Sequence, residues 1–240
     1  MKTEFQTLLG ELRAMRLSPM AACLEDWVAE PANRSRTVIE CIQEMIDAQR
    51  QKIDGSRVKR FFHQADLPPS ICLSGVRASA ARGLDARMVA ELGTCEWVRH
   101  GHQLILMGPG GTGKTYVASA LAAQARLKGF QVEYHRLAEL WDTLDELERK
   151  ERKKFIMRLT KVPLLVLDDF AAQKISAKQG YDLLKILDAR SRNKRSTLVA
   201  SPSHRQDWET YFEDATTADL ICVRLDRAVQ VIELKRITPP

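Results

Sequence analysis

Eight consecutive residues, Gly108-Pro109-Gly110-Gly111-Thr112-Gly113-Lys114-Thr115, follow the spacing G-x-x-x-x-G-K-[ST]. A turn this rich in glycine can curl until its backbone N–H groups point inward at phosphate oxygens. In that arrangement Lys114 reaches the β- and γ-phosphates, and the Thr115 hydroxyl ligates Mg2+. The flanks suit the same chemistry. Leu104-Ile105-Leu106-Met107 ahead of the turn reads as a short buried strand, and the alanine-rich stretch from Tyr116 to Lys128 reads as a helix. The first turn of that helix adds unpaired N–H donors and the positive end of a dipole. Gly108 to Thr115, with Tyr116 beside them, therefore form a candidate triphosphate site.

A second group lies some fifty residues on. Pro163-Leu164-Leu165-Val166-Leu167 is an apolar run ending in Asp168-Asp169. Such a run makes a fully buried strand, and its C-terminal end is where ligands sit in open α/β sheets. Asp168 would belong to the Mg2+ shell and Asp169 would polarise an attacking water. Leu198-Val199-Ala200-Ser201 is a third strand ending in a hydroxyl that could touch the γ-phosphate or the water. Arg224 and Arg227 precede the last strand. Either could reach a neighbouring subunit's nucleotide as an arginine finger, or could simply sit at a helix end and favour its dipole.

The remaining composition narrows the class. The 240 residues carry a net charge of +6 and are 45% hydrophobic, enough for a real core. Two basic runs stand out: Arg149-Lys150-Glu151-Arg152-Lys153-Lys154, and Arg190, Arg192, Lys194 and Arg195. Each is a solvated helix face or a surface that tracks the phosphates of DNA. The absence of aromatics from both favours duplex over single strands. The five cysteines are scattered and the five histidines lack a ligand set, so disulfides and a zinc site are not expected. No window approaches a membrane span and the N-terminus lacks an apolar signal core, so a cytoplasmic protein without membrane partners is expected.

The chain divides near residue 95, giving an N-terminal helical domain over 1–95 and a nucleotide domain over 96–240. In the first part helices are expected around Leu8–Leu17, Met20–Val28 and from Ser35 or Thr37 toward Pro68, the last interrupted at Gly55. Asp66 to Leu84 reads as a crossing segment, and Ala86 to Arg99 as one helix. Beyond residue 100 strands over 103–107, 131–135, 163–167, 197–201 and 229–234 alternate with helices over 114–128, 137–159, 177–193 and 206–225. The last of these helices is broken near Ala215. This alternation is that of an α/β fold with a parallel sheet between two helical layers.

With these residues in place the chain resembles the IstB family, the ATP-binding helpers of insertion-sequence transposition, which are AAA+ relatives of the DnaC and DnaA proteins. The likeness runs through Leu17-Ser18-Pro19-Met20-Ala21, Arg82-Gly83-Leu84-Asp85, Cys95-Glu96-Trp97-Val98, the phosphate loop, Leu165-Val166-Leu167-Asp168-Asp169-Phe170, Ser196 to Ser201, Ala218 to Leu225 and Val231 to Lys235. It implies a P-loop AAA+ domain without a C-terminal lid domain, with Ser201 at the sensor I position and Arg224 as the trans finger. It also implies ATP and Mg2+ as cofactors, a homo-oligomer with nucleotide between subunits, assembly on double-stranded DNA, and an IstA-type transposase as partner. A DnaC-like helicase loader is the rival reading. Three departures stand out. Ala171-Ala172 follow Phe170 where the family has Gly-Leu, and Asp169 replaces the Glu usual in the wider class. Val223-Arg224 replaces Asp-Arg, so that the finger could slip to Arg227. The shorter acid predicts slow hydrolysis.

Overall fold

The computed structural model describes residues 2–226 and 229–236, and its contacts divide the chain into the units Met1–Arg60 and Phe61–Pro240. The first unit holds α1 (Lys2–Ala14), α2 (Ser18–Ala29) and the start of α3 (Val38–Gln64). Helix α1 ends before a left-handed Arg16 (φ 63°), and Pro19 opens α2 from its first turn, where a missing N–H costs nothing. Thr37 and Glu40 exchange side-chain and backbone bonds at the head of α3, so this helix starts firmly. It then runs through Gly55 without a break. Leu9 and Leu12 pack with Ala21, Cys41 and Met45 in a small core of their own.

The second unit is organised by five parallel strands. They are β1 (Gln103–Met107), β2 (Val132–Arg136), β3 (Leu164–Asp168), β4 (Ser196–Ser201) and β5 (Val229–Glu233), in the order β2-β3-β4-β1-β5. The apolar runs of the three inner strands, β1, β3 and β4, follow from burial on both faces, whereas the edge strands β2 and β5 mix polar residues among apolar ones. Helix α6 (Lys114–Leu127) covers one face. On the other, α7 (Leu137–Glu146), α8 (Arg149–Lys161), α9 (Ala177–Arg192) and α10 (Ala215–Leu225) share a core with Ile105, Leu165, Leu167 and Val199.

Two expected helices are divided, and the one over 206–225 is broken near Ala215, where a break is expected. Residues 137–159 form α7 and α8, with extended backbone at Leu147 and Glu148 between them. Residues 206–225 form a 3-10 segment, Arg205–Tyr211, and α10, whose start is fixed where the Asp214 carboxylate accepts from the Thr216 and Thr217 N–H groups. Ala86 to Arg99 becomes α4 (Ala86–Gly93) and α5 (Glu96–Arg99), split at Cys95, whose φ of 61° no α-helix tolerates. Among the described residues no helix is long and apolar enough to cross a membrane.

Candidate functional site

β1 and β3 deliver the two chemical groups to the same edge of the sheet, with β4 between them. At the end of β1 the chain turns through the glycine loop into α6, and Gly113 caps that helix at φ 83°. A side chain there would be strained, and its Cβ would lie 2.6 Å from Arg82 Nη2. The Lys114 ammonium, almost wholly buried, donates to the carbonyls of Gly108 (2.7 Å) and Pro109 (3.0 Å). Burial holds its pKa below the ordinary lysine value, and the charges of Asp168 and Asp169 oppose that shift. Thr115 stands in the first turn of α6, and Tyr116 reaches across to the Cys72 carbonyl.

Asp168 closes β3 with 1% of its surface exposed. One carboxylate oxygen accepts from the Tyr134 hydroxyl at 2.6 Å and the other from the Asp169 N–H at 3.0 Å. Tyr134 comes from β2 and was not singled out in the sequence, because a tyrosine in a strand reads as core. Burial, and then the Asp168 charge, push its hydroxyl far above the ordinary range, so it remains a proton donor. The chain then leaves β3 through left-handed backbone at Asp169 (φ 54°) and Ala171 (φ 53°), the second being where the family's glycine would sit unstrained. Asp169 turns outward into a cleft of about 390 Å3 with Arg136, Glu139 and Gln173. Burial and the neighbouring Asp168 raise its pKa above that of an ordinary carboxylate.

Thr115 and Asp168 are hard oxygen donors, and among the described residues no cluster of three or more His, Cys, Asp or Glu could cage a metal. That donor set fits Mg2+, which keeps water and phosphate oxygens as most of its shell. Beside the loop a second cavity of about 600 Å3 is lined by Gly75, Arg77, Arg82, Tyr116, Lys235 and Arg236.

Ser201 ends β4 in register with Met107, so the sheet brings it beside the loop strand. Its hydroxyl is already engaged, donating to the Ser203 carbonyl (3.1 Å) and accepting from Trp208 Nε1 (3.0 Å). Contact with a phosphate would have to replace one of these bonds. Arg224 lies on α10 and donates through Nε to Asp188 of α9 at 3.1 Å. Arg227 lies outside the described residues.

The basic runs separate by burial. Lys150, Lys153 and Lys154 are exposed on α8, the last paired with Glu151. Arg192 and Lys194 are exposed at the end of α9, with Arg192 bound to Asp188, and Arg195 is half-buried. One expected DNA contact is corrected. Arg190 is 1% exposed and spends its guanidinium on the carbonyls of Leu159, Val162 and Ser196 and the Thr197 hydroxyl. Arg152 is drawn inward by Asp182 at 2.5 Å and by Asp145. A sequence run of like charge carries no record of which members a tertiary neighbour captures.

Comparison with known proteins bears on the family and the fold. The profile of the family described as IstB-like ATP binding protein matches residues 10–237. An ATP-binding protein of insertion sequence IS1162 from Pseudomonas fluorescens is 33% identical over 199 residues, covering 82% of this chain and 85% of its own. Among solved structures the DnaC helicase loader matches at TM-score 0.57 and 19% identity, over 74% of this chain and 99% of that one. AMPPCP-bound DnaA from Aquifex aeolicus matches at TM-score 0.58 and 19% identity, over 70% of this chain and 51% of that one. At such identity the two structures speak to the fold alone, and the fold is that of the AAA+ class.

Proposed function

This chain belongs to the family of IstB-like ATP binding proteins, and from that premise we propose that it hydrolyses ATP slowly while assembling on duplex DNA for transposition. The observation that carries the reading is the convergence of the phosphate loop and the Asp168-Asp169 pair at the same C-terminal edge of the sheet, on β1 and β3 with β4 between them. The loop N–H groups and Lys114 bind the β- and γ-phosphates, and the nucleoside lies in the cavity lined by Arg77 and Tyr116. Thr115 and Asp168 would hold Mg2+, which when bound neutralises charge on the phosphates. Asp169 orients the attacking water and takes its proton. Arg224 serves the nucleotide of an adjacent subunit, so that assembly follows nucleotide state. Residues 1–95 supply contacts to a neighbour, to DNA or to an IstA-type transposase, whose target site the assembly selects.

The test is ATP-dependent assembly on duplex DNA, followed by sedimentation or electron microscopy. Lys114→Ala should abolish it; assembly of that variant equal to the parent's would remove the nucleotide switch. The fold likeness to the DnaC helicase loader keeps one rival reading. A helicase-loading adaptor would lose helicase capture on deletion of the first unit, residues 1–60, and show no ATP-dependent assembly on duplex.

A further inference from the structure

Arg82 sits in the segment between α3 and α4, where the sequence offers little regular structure, yet it is among the few buried charged residues of the chain. Its guanidinium forks. Nη1 donates to the carbonyl of Arg77 at 2.8 Å, and Nη2 donates to the carbonyl of Thr112, inside the phosphate loop, at 2.5 Å. Its own carbonyl accepts from the N–H of Lys235 at 2.9 Å, just past β5. The next residue, Gly83, has φ 81° and runs so close to β5 that a Cβ would lie 2.1 Å from the Glu233 carbonyl. The segment is therefore wedged between the loop and the end of the last strand. Among the described residues no carboxylate pairs with Arg82, whose side-chain partners are neutral carbonyls. Arg236 adds a bond to the Gly110 carbonyl from the opposite end of the loop.

We propose that Arg82 is a positioning residue for the phosphate loop. By drawing the Thr112 carbonyl outward it leaves the loop N–H groups facing inward, and through Arg77 it ties that geometry to the wall of the adjoining cavity. Its charge, unmatched by a carboxylate, also adds to the attraction for a triphosphate. Nucleotide affinity thus depends on a residue 30 positions ahead of the Thr112 that it holds. The inference rests on the loop binding nucleotide as proposed above.

The experiment measures the dissociation constant of a fluorescent ATP analogue, with Mg2+, for the full-length parent, Lys114→Ala, Arg82→Ala and Arg82→Lys, alongside thermal unfolding of each. Arg82→Ala should weaken binding about tenfold or more, and added methylguanidinium should restore part of the loss, since it refills the fork. Arg82→Lys, keeping charge but not the fork, should fall between. An Arg82→Ala protein that melts cooperatively and binds within about twofold of the parent overturns the proposal. Should Arg82→Ala fail to fold, Arg82→Lys decides: parental affinity overturns the proposal, intermediate affinity supports it. If Lys114→Ala loses binding while both Arg82 variants keep it, only this inference falls. If the parent does not bind, the nucleotide reading falls with it.

Discussion

Asp168 and Asp169 are adjacent carboxylates with opposite surroundings, and their difference sets the chemistry. Asp168 is buried and fixed by two donors, so replacing Tyr134 with Phe frees one of its oxygens without removing the ring. That change should cost about 1 kcal/mol of stability and raise the Mg2+ concentration needed for half-maximal nucleotide binding by about tenfold, as loss of an outer-shell partner typically does. A magnesium titration of the variant checks it, and an unchanged midpoint would contradict the role given to Tyr134. Asp169 instead carries a pKa raised by burial and by Asp168. Since the folded state holds that proton more tightly than the unfolded chain, its stabilising contribution is present below the ordinary value of 3.8 and is lost as pH rises through the folded value. At neutral pH the carboxylate is thus a small burden on the fold. Asp169→Asn should melt above the parent at pH 7 and converge with it in acid, while ATP hydrolysis falls by about a hundredfold or more. Thermal melts across pH, beside steady-state hydrolysis, would reveal a failure: an Asn variant that melts lower at neutral pH removes the argument.

Among the elements, α8, α9 and the starts of β3 and β4 are joined by one buried guanidinium. Burial pulls the pKa of Arg190 down to about 9, and the last carbonyls of α8, where a helix dipole is negative, hold its charge in place. Arg190→Met would leave those carbonyls without donors in the interior, at a cost of about 3 kcal/mol or more in a urea melt. DNA affinity of the folded fraction should not change. The inner strands β1, β3 and β4 were legible because both-face burial writes apolar runs, and the loop and the Asp168-Asp169 pair were legible because their spacing is local. The helix breaks at Cys95 and at Leu147-Glu148 were not, since neither contains proline; α7 and α8 take their directions from the core that both share. Arg82 and Tyr134 escaped for a related reason: each acts through a partner distant in sequence, Thr112 for one and Asp168 for the other, and a periodicity argument sees no such pairing. Arg190 misled it for the same cause.

For the whole molecule, the proposed contact with duplex DNA falls to the exposed part of the basic runs. Replacing Lys150 and Lys153 together should reduce the slope of log affinity against log salt by about 1.8, two phosphate contacts' worth; an unchanged slope would place DNA on another face. The assembly itself is tested through Arg224. On its own subunit this arginine is held by Asp188, on α9, while the nucleotide loop opens from β1, so service in trans makes the two defects complementary. Arg224→Ala subunits keep a complete nucleotide site but offer no finger; Asp169→Asn subunits keep the finger but cannot hydrolyse. Neither should turn over alone. In an equimolar mixture with DNA, random neighbours place an intact Arg224 against an intact site at about a quarter of the interfaces, and hydrolysis should recover to that order. Recovery requires that the catalytic constellation be split between chains. If the mixture stays as inactive as its components while gel filtration shows that they co-assemble, Arg224 acts within its own subunit or not at all, and the finger would have to be sought at Arg227.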